Sequence, residues 1–118
     1  MYNWEVMDES RTTIVVQHYL YELAAASGDS DAEPVISALL GQSPHRLLLL
    51  CAALLYRSYP RLARPPLSLA AEDLLGAVVE RLLRALRETR PGTVREFFAL
   101  AGRHMRWELN DLARRLDE

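Results

Sequence analysis

The sequence contains no lysine, and all fourteen of its basic residues are arginine. It has one cysteine, Cys51, so no disulfide can form within the chain, and we expect this residue to fill a small space in the core. The longest apolar run, Leu47 to Tyr56, is about half the length of a membrane span. The N-terminus lacks the basic start and apolar stretch of a signal peptide. We therefore expect a cytoplasmic protein with no membrane partner.

Common catalytic and metal-binding patterns are also missing. The sequence has no glycine-rich phosphate loop, no nucleophile elbow and no His-Glu-x-x-His motif. His18, His45 and His104 are widely separated, and none stands at metal-ligand spacing from another or from Cys51. We therefore expect no enzyme activity, no catalytic residue, no cofactor and no metal.

The net charge of −2 hides a strong asymmetry along the chain. Residues 1–44 contain one arginine and seven acidic residues, whereas residues 81–115 contain nine arginines and four acidic residues. A local basic surface on an otherwise acidic protein favours contact with a polyanion. Arginine suits that role because its planar guanidinium binds phosphate through two hydrogen bonds and stacks on rings. The absence of lysine by itself is explained mostly by codon bias in a GC-rich genome.

Period-two alternation is absent and helical spacing runs through the whole chain, which predicts an all-α fold. We expect a compact bundle of about five helices, forming a single domain over residues 11–116 after an N-terminal tail at residues 1–10. The expected limits of the helices are about Ser10 to Ala26, Ser30 through Leu40, Pro44 to about Tyr59, a fourth helix capped by Ser68 and ended by Arg90-Pro91-Gly92, and a fifth that begins after Thr93.

The helix starts carry capping signals. Ser30 with Glu33, and Thr93 with Glu96, stand at capping-box spacing, and Pro34 is expected in the first turn of the second helix. Ser43 is the expected N-cap before Pro44. The third helix is apolar on nearly all sides, which predicts a position at the centre of the bundle.

The last two helices are amphipathic. The expected buried face of the fourth helix consists of Leu75, Val78, Val79, Leu82 and Leu86. The expected buried stripe of the fifth helix consists of Val94, Phe98, Ala101, Met105, Leu109, Leu112 and Leu116.

On the same helical wheel Trp107 points away from this stripe, flanked by Arg103, Arg106, Asn110 and Arg114. Two interpretations are open. The indole packs against another helix while the arginines are solvated, or the face binds nucleic acid. In the second case the ring stacks on bases, the guanidiniums hold phosphates and the amide contacts base edges.

Two further candidates are weaker. The turn from Thr89 to Val94 is either a simple connection or a loop that holds an extruded base through its backbone. The outward face of the fourth helix is either a solvated surface of mixed charge or a docking surface for helices of another protein.

These segments resemble region 2 of bacterial RNA polymerase sigma factors of the extracytoplasmic-function type. That family has the pattern A-E-D-L-V-Q-E-V-F-x-R-L-W-x-A-L, then F-R-A-W-L-x-x-I-A-R-N and an arginine-rich helix. The run from Ala71 to Leu75, with Val78, Arg81, Leu82, Ala85 and Leu86, is similar to the first part, and Val94 to Phe98 and Ala101 to His104 are similar to the second. The stretches Arg64 to Leu69 and Leu112 to Arg115 are similar to the arginine-rich sigma factors of planctomycete-like bacteria.

The resemblance implies a module for promoter −10 recognition and melting that acts on core RNA polymerase. The fourth helix would dock on the clamp helices of the largest polymerase subunit, and the fifth helix and the loop before it would hold the non-template strand. The implied polymerase-binding residues are Glu72, Asp73, Gly76, Glu80, Arg81 and Arg84. The DNA-binding candidates, from the resemblance and the helical wheel together, are Arg90, Thr93, Arg95, Arg103, His104, Arg106, Trp107, Asn110 and Arg114.

The sequence departs from the family pattern at several positions. Gly76 and Ala77 replace a Gln-Glu pair that contributes to clamp docking, and His104 replaces an asparagine, which implies a different base preference. The sequence stops before the second, −35-binding domain of a complete sigma factor, so it is either part of a longer protein or a free-standing region 2. The alternative function is a sigma-like protein-interaction module that binds a regulator such as an anti-sigma factor and does not read DNA.

Overall fold

The computed structural model describes residues 4–42 and 44–118, and describes side chains from residue 13 onward except at positions 29, 42 and 43. This part of the chain forms five α-helices and one 3-10 turn, and it contains no strand. The predicted all-α bundle of about five helices is therefore confirmed. The elements are α1 (Trp4–Ala25), α2 (Gly28–Gln42), α3 (Pro44–Ser58), the 3-10 turn (Pro60–Ala63), α4 (Ala71–Thr89) and α5 (Val94–Asp117).

The bundle is flat, and α4 is its central helix. Its Cα extents are 45 × 45 × 18 Å, so it is about two helix layers thick. Helix α4 packs against α2, α3 and α5, while α1 packs mainly against α2 and also touches α5. The prediction that α3 lies at the centre is wrong. Only one side of α3 is buried, and Leu49 and Tyr56 are 51% and 55% exposed, because a bundle this thin leaves that helix without a neighbour on its outer side.

The first two helices begin earlier than expected. Helix α1 begins at Trp4 instead of Ser10, and α2 begins at Gly28, whose φ of 80° allows the sharp turn after α1. Ser30 and Pro34 consequently lie inside α2 instead of at its start, and the ring of Pro34 removes one backbone donor from the helix. Pro44 is the first residue of α3 as predicted, and the expected cap at Ser43 lies outside the described residues.

Helix α4 begins at Ala71, two residues later than a cap at Ser68 would require. Ser68 lies in the preceding loop with a φ of 48°, and its N–H donates to the Arg64 carbonyl at 2.9 Å. The N-cap residue is Ala70, which has no side-chain acceptor. Instead, the Asp73 carboxylate accepts from the Ala70 N–H at 3.0 Å. The start of α4 is therefore capped from within the helix, by an acid that also suits the positive end of the dipole.

Both amphipathic stripes are rotated slightly from the predicted ones. The buried residues of α4 are Ala71, Leu74, Val78, Leu82 and Leu86, whereas Leu75 and Val79 are only half-buried. In α5 the buried residues are Phe97, Leu100, Ala101, Gly102, Met105 and Leu109, whereas Val94, Phe98, Leu112 and Leu116 lie at its margin. Adjacent apolar residues compete for one core position at Leu74 and Leu75, at Val78 and Val79, and at Phe97 and Phe98. Helical spacing alone does not decide between the members of such a pair.

Capping at the start of α5 follows the prediction in part. The Thr93 hydroxyl accepts from the Glu96 N–H at 3.1 Å, as a capping residue should. The Glu96 carboxylate accepts from the Gly92 N–H at 3.0 Å instead of from Thr93. Helix α4 ends at Thr89, and Arg90 takes the left-handed conformation that follows many helices.

Cys51 is fully buried in the core, as predicted. Burial raises the pKa of its thiol to about 11, so the thiol stays protonated at neutral pH. Among the described residues no single helix is long and apolar enough to cross a membrane; Ser30–Gly41 and Pro44–Ser58 reach that length and composition only as a pair bent by 66°.

The packing of α5 predicts different costs for two neighbouring phenylalanines. Phe97 is fully buried, and Phe98 sits half-exposed with its ring 4.8 Å from that of Phe97 and under the Arg46 guanidinium. Phe97→Ala should lower the free energy of unfolding by about 3–5 kcal/mol, and Phe98→Ala by clearly less. Urea denaturation of both variants measures the difference. Equal costs, or a larger cost at Phe98, would contradict the rotation of α5 described above.

Candidate nucleic-acid interface

The outward side of α5 carries an exposed indole among polar side chains. Trp107 is 53% exposed, and its ring has one aromatic neighbour among the described residues, His104, at 5.0 Å in an edge-on arrangement. The opposite side of α5 packs on α3 and α4. The indole is therefore not enclosed between helices, and about half of its surface is open to solvent or to a ligand. We call the exposed residues here the α5 face: Arg103, Arg106, Trp107, Asn110 and Arg114.

Two of the arginines on the α5 face are free to bind an anion. Within the part of the chain that the structure describes, no carboxylate oxygen lies within 4 Å of Arg103 or Arg106. Arg114 pairs with Asp111 on the same helix, and the Asn110 amide oxygen accepts a 2.5 Å hydrogen bond from the Tyr59 hydroxyl. Two guanidiniums near the indole, those of Arg103 and Arg106, therefore make no ion pair with any described residue. The Asn110 amide and the Arg114 guanidinium are bound by neighbouring side chains.

His104 lies behind the indole instead of beside it on the surface. Its Nδ1 atom is buried and has no hydrogen-bond partner among the described residues. Burial lowers the pKa of the imidazole, and the positive charges of Arg81 and Arg103 lower it further. The ring is therefore neutral at neutral pH. A neutral ring packed edge-on against Trp107 holds the indole in place more directly than it contacts a ligand.

Arg90, a DNA-binding candidate from the sequence, is engaged within the fold. Its guanidinium donates to three carbonyls at the junction of α1 and α2: Ala26 at 2.7 Å, and Leu23 and Gly28 at 3.3 Å. The last carbonyls of a helix have no partner inside the helix, so Arg90 satisfies the end of α1. Holding a phosphate would require it to release these bonds.

The polar groups of the loop before α5 also make hydrogen bonds within the protein. Thr93 caps α5, the Gly92 N–H is bound by Glu96, and the Gly92 carbonyl accepts from the Gln17 amide at 3.2 Å. Pro91 is buried. The geometry therefore leaves few free backbone groups for an extruded base in this loop. Arg95, the second residue of α5, is exposed and has no carboxylate partner among the described residues.

The candidate polymerase-binding residues share one exposed side of α4, with one exception. Glu72, Asp73, Gly76, Glu80 and Arg84 are exposed. Arg81 is half-buried and pairs with Glu108 of α5 at 2.5 Å, so it joins the two helices. A Cβ atom built at Gly76 would meet no atom within 4 Å, so packing in the fold does not require glycine there. We call Glu72, Asp73, Gly76, Ala77 and Glu80 the α4 acidic face.

The structure adds a feature that sequence reasoning missed. A cavity of about 310 Å³ lies between the 3-10 turn and the last turns of α5, and Arg61 and Arg64 line it. The sequence does carry a signal, because no Asp or Glu occurs between Glu33 and Glu72. Among the described residues, no group of three or more His, Cys, Asp or Glu side chains is placed to hold a metal ion.

No protein-family model, no curated protein and no solved structure matches this chain. Its candidate interface therefore has to be judged from its own geometry.

The contacts of Arg90 predict that its main effect is on stability. Arg90→Ala should lower the free energy of unfolding by about 1–3 kcal/mol, because three carbonyls at the junction of α1 and α2 lose a charged donor. Arg84→Ala is the matched control, since Arg84 is an exposed arginine of the preceding helix α4, and it should change stability by less than about 0.5 kcal/mol. Chemical denaturation gives both values. If the two variants are equally stable, the guanidinium of Arg90 does not hold the end of α1.

Proposed function

We propose that this chain is a sigma region 2-like module that binds the melted non-template strand of a promoter −10 element together with core RNA polymerase in the cytoplasm. It performs no chemistry of its own. The observation that carries the proposal is the exposed Trp107 close to the unpaired guanidiniums of Arg103 and Arg106 on the α5 face.

The α5 face suits a single strand better than a closed duplex. An exposed ring can stack only on a base that has left the duplex stack, and each such stack contributes about 1–3 kcal/mol. Arg106 directly precedes Trp107 and Arg103 lies about one helical turn before it, so both guanidiniums are near enough to contact a backbone phosphate beside a base stacked on the ring. The exposed indole has no role in the core, so the energy of its desolvation is available for binding.

The α4 acidic face supports the polymerase contact in this proposal. Its carboxylates attract a basic partner, and the small side chains of Gly76 and Ala77 let a partner helix approach closely. Gly76 costs α4 about 1 kcal/mol relative to alanine, and no contact inside the fold compensates for that cost. A role in docking would account for it.

The second candidate function is a protein-interaction module that binds a regulator such as an anti-sigma factor and does not read DNA. The state of the loop before α5 favours it. Arg90, Gly92 and Thr93 all make hydrogen bonds within the protein, so a loop that captures a flipped base would first have to open. Direct binding measurements separate the two functions.

The first experiment measures binding of the purified chain to a library of single-stranded −10 oligonucleotides by fluorescence anisotropy at two salt concentrations. We expect binding that weakens with salt, and Trp107→Ala should weaken it by about 1–3 kcal/mol through loss of stacking. Tyr21→Ala, which removes an exposed aromatic ring from α1, is the control and should leave the affinity unchanged. Affinity that responds neither to salt nor to Trp107→Ala would rule out the DNA-binding proposal.

The second experiment tests the α4 acidic face with purified core RNA polymerase. Glu72→Arg combined with Glu80→Arg should weaken the complex at least tenfold, because two attractive charges become repulsive. Glu88→Arg, a similar change on an exposed side chain near the end of α4, should have little effect. If the unchanged protein binds a purified anti-sigma factor but neither core polymerase nor single-stranded DNA, the interaction module is the correct function.

A further inference from the structure

The chain between α2 and α4 is entirely free of carboxylates. No Asp or Glu occurs between Glu33 and Glu72, while this stretch carries Arg46, Arg57, Arg61 and Arg64. Arg46 is engaged, since it donates to the Thr13 hydroxyl at 2.9 Å and covers the Phe98 ring. Arg61 and Arg64 lie in and directly after the 3-10 turn, and both are exposed. They give this edge of the bundle a local positive charge.

Arg61 and Arg64 line the cavity of about 310 Å³ beside the last turns of α5, and Ser58, Ala113 and Asp117 line it as well. The cavity is large enough for a phosphate group and part of a sugar. Arg64 has no carboxylate within 4 Å among the described residues. Arg61 pairs with Asp117 at 2.5 Å, and both side chains are more than half exposed. One guanidinium is thus free and the other is held by a weak surface ion pair.

The cavity adjoins the α5 face. The Tyr59 hydroxyl, on the cavity side, donates to the amide oxygen of Asn110, on the α5 face, at 2.5 Å. Ala113 of the cavity wall precedes Arg114 of the α5 face. Ala113 is six positions after Trp107, which is about 9 Å along a helix axis. Single-strand-binding domains cover roughly 4–16 nucleotides of a strand. One bound strand is therefore long enough to contact both Trp107 and the cavity.

We propose that this cavity is a phosphate-binding site for the same single DNA strand that stacks on Trp107. The inference rests on the proposed function and extends it to residues outside α5. Arg61 and Arg64 donate hydrogen bonds to the oxygens of one backbone phosphate. In the free protein the Arg61 guanidinium is paired with the Asp117 carboxylate. The phosphate displaces this carboxylate because a phosphate accepts two charge-assisted hydrogen bonds from a guanidinium. The site contacts the backbone, so it contributes to affinity and not to base preference.

The test uses the full chain and a fluorescently labelled single-stranded oligonucleotide, with affinity measured over a range of salt concentrations. The double variant Arg61→Ala/Arg64→Ala should bind roughly tenfold more weakly at low salt. Its salt dependence, as the slope of log affinity against log salt, should be shallower by about 0.7 for each lost phosphate contact. Arg87→Gln, which removes one arginine charge from the interface between α4 and α2, is the control and should keep both the affinity and the slope.

Asp117→Asn tests the exchange of partners on Arg61. It should tighten binding roughly threefold, because the phosphate no longer competes with a carboxylate. Asp31→Asn removes the same charge from an exposed position on α2 and should have a smaller effect. Thermal unfolding checks that each variant folds, and Arg61→Gln/Arg64→Gln replaces the alanine pair if that pair does not fold.

The outcomes separate this inference from the proposed function. If binding depends on Trp107 while the double arginine variant keeps its affinity and its salt slope, the phosphate site is wrong and the proposed function stands. If Asp117→Asn has no more effect than Asp31→Asn, Asp117 does not compete for the site. If the unchanged protein binds no single strand at all, both proposals fail together.

Discussion

The rotation of α5 about its own axis decides which of its side chains meet the solvent. Three contacts determine that rotation. The first is the core, which fully buries Phe97, Met105 and Leu109. The second is the close approach of Gly102 to Leu50 of α3. The third is the ion pair between Glu108 and Arg81 of α4. With one side of the helix held in this way, the opposite side carries Arg103, Trp107 and Arg114. The candidate interface is thus a consequence of how the core packs, and it disappears if α5 turns by one residue.

The flatness of the bundle produces two surfaces of opposite charge. Because the bundle is about two helix layers thick, each of α3, α4 and α5 keeps an uncovered side. The uncovered side of α4 is acidic and has small residues at its middle, and that of α5 is basic and aromatic. A surface of each sign on one small module suits a protein that bridges a basic protein partner and a polyanion. This arrangement fits the proposed complex with polymerase and DNA without requiring any catalytic group.

The arginines of this lysine-free chain serve three different physical purposes. Arg90 and Arg46 act within the fold, where a planar guanidinium reaches several carbonyls or covers a ring. Arg81 and Arg87 join neighbouring helices through carboxylates. Arg103 and Arg106 are exposed on the α5 face without a carboxylate partner among the described residues, and they are available to bind a phosphate. Counting arginines along the sequence therefore overstates the number available for a phosphate. Five of the nine between residues 81 and 115 are bound to other groups of the protein: Arg81, Arg87, Arg90, Arg114 and Arg115.

The amino-acid sequence by itself determined the all-α fold, the approximate helix limits and the outward position of Trp107, because hydrophobic periodicity and capping residues are local signals. It did not determine which of Phe97 and Phe98 is buried, or that α3 lies at an edge, because neighbouring apolar residues satisfy the same helical pattern and only contacts with other helices choose between them. The role of Arg90 and the cavity beside Arg61 were likewise decided by tertiary structure alone. Both join segments that are distant in the chain, Arg90 to the end of α1 and the 3-10 turn to the end of α5, and no local pattern encodes such an encounter.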